Sequence, residues 1–259
     1  MRYIVTNLYT GLNLRPTPGT TGAPVANMPY GTVVELIADT GTKWKEVRVI
    51  GPGAPRTGFA SDVFMTPVKS DAVVRLVRAA FAYWEEFDRG AGRENVQPYK
   101  AMVLKMWADL GMGSPPGDNT SHPDWPWSAA GMSAFVRRAG GYTGFVQNKK
   151  HSFYIHDSIV KRDDGSAPFW GYRITDRKPE VGDLIAQWRV KKRDYDYAAT
   201  HDDFSSHTDV VAQVLPDSVR AIGANVPTDT VGVKVYRLNG AGFLAGARNE
   251  IVIMKNVAT

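Results

Sequence analysis

The stretch DWPWSAAGMSAFVRRAGG, residues 124–141, decides how this chain folds. It opens on a rigid Trp-Pro-Trp turn and continues with small and apolar residues that read as a helix. Ser128 stands at the join. A helix N-terminus carries unpaired N–H groups and about half a positive charge, so it stabilises an anion or an oxyanion. A nucleophile on the first turn gains that stabilisation from the backbone. Three readings of Ser128 stand open: a nucleophile, a residue in the place of a cysteine, or a helix cap, a role in which serine contributes about 1 kcal/mol.

Working outward, two helices precede this one. DAVVRLVRAAFAYWEEFDRG (71–90) repeats Ala72, Leu76, Ala80, Trp84 and Phe87 near helical spacing, with Asp71 as start and Gly90 as stop. ENVQPYKAMVLKMWADLGMG (94–113) carries Tyr99, Val103, Met106, Trp107 and Leu110. A Pro/Gly/Ser-rich loop (113–127) leads into Ser128; loops of about that length are usually functional or disordered, and its position before Ser128 favours function. After the helix the chain turns β-rich, with strands expected over 179–190, 207–215, 218–226, 230–238 and 249–256. Helices first and an antiparallel sheet afterwards make an α+β order for residues 71–259.

Residues 1–68 differ. Short β-rich runs broken by turn residues suggest five strands and a small barrel. In KWKEVRV (43–49), Trp44 and the pair Val47 and Val49 have opposite parity, which predicts a twist or a bulge. LNLRPTPG, MPYGTVVELI, WKEVRV and TGFASDVF resemble, in order, the segments of a bacterial SH3-type domain. That resemblance implies an SH3-like barrel binding cell-wall peptides, or a structural barrel without a ligand. The connection TPVKSDA (66–72) is too short for a flexible tether.

Composition limits the function. The 259 residues carry a formal charge of +5 that is spread along the chain. No dense basic stripe marks a nucleic-acid binder, while attraction to an anionic wall polymer is compatible. No apolar run approaches the roughly 18 residues of a membrane span, so no membrane insertion is expected. The absence of cysteine excludes disulfides, thiolate metal sites and cysteine nucleophiles. MRYIVTNLYTGLNLRP lacks the features of a signal peptide. A wall-active protein of this kind would have lost its leader or would be delivered by a non-classical route.

Two further residues join Ser128. His207 opens HTDVVAQVL, and Asn225 lies in the returning segment IGANV. If these strands form a hairpin, both residues fall near one end of the ladder, where Asn225 could orient the His207 ring. PWSAAGMSAFVRRAG resembles the W-C-A-A-F-V-S-W-C-L-R-x-A-G stretch of NlpC-type and CHAP-related papain-like peptidases. It is closer still to an uncharacterised branch carrying P-W-S-A-A-F. KPEVGDLIAQW, HTDVVAQV and IGANV resemble that group's later strands, and the likeness runs over about residues 71–245. It implies a papain-like domain acting as a peptidoglycan amidase or peptidase, with Ser128, His207 and Asn225 at the catalytic positions. Here the sequence departs from the group at the nucleophile. A thiol ionises readily beside an imidazolium and a helix dipole, whereas a serine needs a neutral histidine as true general base. A pseudoenzyme that keeps the cleft for binding, or a structural part of a phage or secretion particle, are the alternatives.

Trp125 and Trp127 flank Ser128 as candidate cleft walls or core plugs. His151 lines the cleft, because the related branch carries a histidine there, or it is structural. His156 and Asp163 have the H-x(6)-D spacing of one metallopeptidase type, but no H-x-H follows. Neither they nor His201, Asp202 and Asp203 assemble the three ligands of a catalytic zinc. No metal and no cofactor are therefore expected, and the expected partner is peptidoglycan or its stem peptides.

Overall fold

A computed structural model describes residues 1–51, 53–227 and 229–259. The chain forms two compact units, Met1–Val74 and Arg75–Thr259.

The first unit is all β: β1 (Arg2–Val5), β2 (Leu12–Leu14), β3 (Ala26–Met28), β4 (Val33–Asp39), β5 (Trp44–Ile50), β6 (Thr57–Ser61) and β7 (Met65–Pro67). Five strands make an antiparallel sheet ordered β6-β5-β4-β1-β7, and β2 pairs β3. Val5, Leu14, Val34, Val47 and Ala60 form its core. The parity break of β5 is settled across the ladder. The register shift lies in β4, between Leu36 and Ala38. Lys45 and Val47 turn inward, and Trp44 stays half-buried. The buried Lys45 ammonium is tolerated because Asp39 and Asp62 lie 2.7 and 3.3 Å away.

The remaining elements are α1 (Asp71–Glu86), α2 (Tyr99–Ala108), α3 (Ser128–Ala139), α4 (His151–Val160), β8 (Phe169–Tyr172), β9 (Leu184–Trp188), α5 (Tyr195–Thr200), β10 (Ser206–Val214), β11 (Ser218–Val226), β12 (Thr230–Arg237) and β13 (Glu250–Asn256). The boundary between the units falls inside α1. Strands β8 to β13 form one antiparallel sheet in the order β12-β11-β10-β9-β13-β8. The second unit is thus α+β, as its order of periodicities implied.

Several elements depart from the sequence reading: the first unit has seven strands rather than five, and α5 was not expected. Helix α2 starts only after Pro98, so it is shorter than the 94–113 expected, and Leu110 lies past its end. Helix α4 was not expected from the spacing of His151 and His156. Its buried residues Ser152, Ile155 and Ile159 nevertheless recur at three and four, one face of a helix. Strand β8 alternates buried and half-buried residues, but FWGY carries no charged or amide residue that would show this in sequence.

The second unit is built around α3. Nine of its twelve residues are buried, which makes it a core helix rather than a surface one. Gly131 lets it lie directly on β11: a Cβ there would stand 2.3 Å from the Cβ of Ala224. Successive side chains of a strand face opposite sides. On β10, Thr208 and Val210 share one face, while His207, Asp209 and Val211 share the other. That second face has its own core of Ile185, Val211, Val219, Ala221, Tyr236 and Ile253.

Gly131→Ala is therefore expected to push α3 off β11 and cost about 1–3 kcal/mol, the usual range for an overpacked core. Urea unfolding measures it, and a variant as stable as wild type would refute this close approach.

Candidate active site

Local sequence fixes how the chain enters α3. Trp127 occupies the cap position, with φ −77° and ψ 5°, and no side chain caps the helix. Its ring is fully buried and stacks on Phe87 at 5.7 Å. The indole Nε1–H donates to the carboxylate of Glu94. Glu94 is held in turn by its backbone: Thr120 Oγ1 donates to its carbonyl at 2.7 Å, and its N–H donates to the Asp229 carbonyl at 3.0 Å. Ser128 thus begins a helix whose entry is anchored on both sides.

Ser128 is the first residue of α3, and its hydroxyl does not cap the helix. Its Oγ lies 2.8 Å from His151 Nε2. The first-turn N–H groups have no acceptor within the helix, and among the described residues Ser128 N–H and Ala129 N–H have none elsewhere, which leaves them able to serve an oxyanion. Gly131 N–H is the first to find one, the Trp127 carbonyl at 2.8 Å.

His151 opens α4. The Asn148 side chain positions the approach by accepting from Lys150 N–H at 3.0 Å, and Asn148 N–H donates to Ser133 Oγ of α3 at 3.3 Å. The approach to α4 is thereby tied to the middle of α3. His151 Nδ1 lies 2.8 Å from Thr208 Oγ1 and in contact with the Tyr154 hydroxyl, and those two hydroxyls are 3.1 Å apart. If Nδ1 carries the proton and donates to a hydroxyl oxygen, Nε2 has its lone pair toward Ser128. If a hydroxyl donates to Nδ1 instead, Nε2–H points at Ser128 Oγ. Only the first tautomer accepts the serine proton. Burial, followed by the neighbouring His207, holds the His151 ring well below its ordinary pKa. The ring is neutral, as a serine general base requires.

His207 occupies a different place from the one expected. Its ring centroid is 5.0 Å from that of His151, but its Nε2 is 2.7 Å from Asp209 Oδ1. Strand parity is the reason. Thr208, not His207, is the β10 residue that bonds the helical side, and His207 goes with Asp209 to the second face. There Lys234 Nζ lies 2.6 Å from Asp209 Oδ2, and the Tyr236 hydroxyl donates to the same carboxylate. Gln187 Oε1 accepts from Lys234 at 2.6 Å and lies 2.9 Å from the Tyr236 hydroxyl oxygen. Burial alone would raise the Asp209 carboxyl, but His207 and Lys234 outweigh it and hold the group well below the carboxylate range. Gly223 makes room: a Cβ there would stand 1.7 Å from Asp209 Oδ1.

Asn225 does not orient His207. It sits at a register shift between Ala224 and Val226 with φ 56°, so the bulge takes it out of the regular ladder. The acceptor on His207 Nε2 is Asp209. Nor do the two tryptophans wall the cleft. Trp127 is core, and Trp125 packs edge-on against Trp107 at 5.0 Å. His156 Nδ1 bonds the Ala198 carbonyl at 2.9 Å, and His201 stacks on Tyr197 at 3.9 Å. Both are engaged away from Ser128.

Ser128 and His151 open onto a cleft of about 460 Å³, whose rim includes Pro126, Lys149, Arg189 and Phe204. A larger cavity of about 650 Å³ lies in the first unit, beside Asn13, Asn27, Trp44 and Phe64. Its lining has no histidine or carboxylate to serve as a base.

A family model described as an uncharacterised protein conserved in bacteria, DUF2272, matches residues 103–256. The chain belongs to the DUF2272 family. The matched segment of DUF2272 contains Ser128, His151, Thr208 and Asp209, and ends within β13. No curated protein matches the chain. Among solved structures, one titled a structure of NlpC2 from Trichomonas vaginalis aligns at 11% identity. It covers 100% of this chain and 73% of that one, with a TM-score of 0.26, a likeness too slight to bear on function.

Asp209→Asn is expected to cost about 3–5 kcal/mol, because it leaves the buried Lys234 ammonium without its counter-charge. Thermal or urea unfolding of the variant measures this; a loss under about 1 kcal/mol shows that the cluster is not held by that charge.

Proposed function

We propose that the second unit is a peptidoglycan hydrolase that cleaves an amide bond by a serine mechanism. The observation that carries the reading is the 2.8 Å contact of Ser128 Oγ and His151 Nε2 at an uncapped helix N-terminus facing a cleft. The sequence resemblance to wall peptidases supports the choice of substrate. Ser128 Oγ attacks the carbonyl carbon while His151 Nε2 takes its proton. The oxyanion that forms accepts from the free N–H groups of the first turn of α3. The tetrahedral adduct then expels the amine, which receives the proton from His151. Water attacks the acyl-serine by the same route in reverse order, releasing the acid and restoring the hydroxyl.

Thr208 and Tyr154 replace the carboxylate that usually orients such a base. Among the described residues no carboxylate touches the His151 ring, and the negative charge of Asp209 reaches it only at a distance. Charge on the imidazolium is therefore compensated less directly than by an adjacent carboxylate. That arrangement favours slow turnover, and it is the specific observation behind the second reading, a binding cleft without catalysis. The first unit is proposed to dock on the wall through its cavity, and on this reading the protein acts at the bacterial cell wall.

Purified peptidoglycan incubated with the protein is expected to release soluble fragments. Ser128→Ala and His151→Ala are each expected to lower the rate at least about 10³-fold, while Asn225→Ala changes it less than about twofold. Release of fragments by Ser128→Cys but not by wild type would leave only the binding cleft.

The pH profile gives an independent check. A base held below the ordinary imidazole value of about 6.5 stays neutral as pH falls through that value. The acid limb of kcat/KM is accordingly expected below pH 6.5. A limb at or above it removes His151 as the base.

A further inference from the structure

The charges around Ser128 are mostly positive. Lys149, Lys150 and Arg189 line the cleft, with Asp203 as the acidic residue among the lining side chains. Asp203 is already committed, since its Oδ2 lies 2.6 Å from Lys150 Nζ. Lys149 and Arg189 make no ion pair or side-chain hydrogen bond among the described residues. Two exposed cations therefore stand uncompensated beside a nucleophile that itself lies at a positive helix end.

The backbone around Arg189 is held in an unusual form. Arg189 N–H donates to the Ser205 carbonyl at 2.8 Å, and its own carbonyl accepts from Lys191 N–H at 2.7 Å. The second bond closes a three-residue turn centred on Val190, whose φ is +64°. A β-branched residue in that region is strained, and Val190 is 94% exposed, so burial of its side chain does not hold it there. The turn ends β9 abruptly at the cleft edge and fixes the backbone from which the Arg189 side chain springs. Lys191 and Lys192 follow it, both exposed, and extend the positive rim.

We propose that the cleft selects substrates carrying a free carboxylate beside the scissile amide, held by Arg189 and Lys149. The inference rests on the hydrolase reading for the word substrate, but the selection itself is a matter of binding. A guanidinium pairs a carboxylate through two parallel N–H donors, and the lysine supplies a second charge. A neutral carboxamide at the same position would leave both cations unpaired.

The test uses two probes: an N-acetylated stem tripeptide, L-Ala-γ-D-Glu-L-Lys, with free carboxylates, and the same peptide with both carboxylates amidated. Calorimetric titration of the full chain is expected to show the carboxylated probe binding at least about tenfold more tightly. The preference is expected to shrink as salt is raised. In an Arg189→Gln, Lys149→Gln double variant it is expected to fall below about threefold. Equal affinities of wild type for the two probes, or a preference that survives the double variant, overturn the proposal. Labelling of Ser128 by a neutral fluorophosphonate separates it from the catalytic reading. Labelling without carboxylate preference defeats the selection alone, whereas preference without labelling upholds it and defeats the serine mechanism.

Discussion

Everything in the second unit depends on how closely α3 lies on β11. Gly131 and Ala224 bring the helix against the strand at a distance that no larger pair would allow. Because nine of its residues are buried, the helix cannot rotate or slide without exposing apolar surface. Its first residue is therefore a fixed point. Trp127 and Glu94 pin the incoming chain, and Ser133 takes the loop that leads to α4. The 2.8 Å contact between Ser128 and His151 is a consequence of that packing and not of any local preference of either residue.

The polar groups behind the site are arranged in two layers divided by strand β10. On the helical side, His151 is surrounded by hydroxyls and remains neutral. On the far side, His207, Asp209, Lys234, Tyr236 and Gln187 form a cluster in which each charge has a partner. Buried charges persist only when paired and hydrogen-bonded. The second layer meets that condition, and Gly223 leaves it the space. The first layer meets its own by avoiding charge altogether, since burial keeps the His151 ring neutral.

Much of the frame was legible in the chain. The switch from period two to helical spacing near Asp71, the strands after 179 and the helix at Ser128 followed from patterning, since burial on one face dictates those periods. The position of Ser128 at a helix start was equally readable from the Trp-Pro-Trp turn. The partner of Ser128 was not. His207 looked suitable because it begins a strand, but a shift of one residue along a strand reverses the face. Asn225 lost its expected role to a bulge, which leaves little trace in sequence. One signal was present: His151 and Tyr154 stand three apart in HSFY, the spacing at which helix neighbours share a face. Reading it required knowing that α4 exists.

The sequence by itself determined the order of elements, the α+β class, the absence of any thiol chemistry and the place of Ser128 at a helix N-terminus. These depend on local periodicity, turn chemistry and composition, which act over a few residues. Only the tertiary structure decided which histidine meets the serine, which carboxylate stays in the second layer and which tryptophan is core. Those choices depend on strand parity and on the seating of α3 and α4 against β10 and β11, and such contacts join residues more than fifty positions apart. The physical reason is that burial pattern fixes what lies inside, while the register of packed elements fixes what touches what.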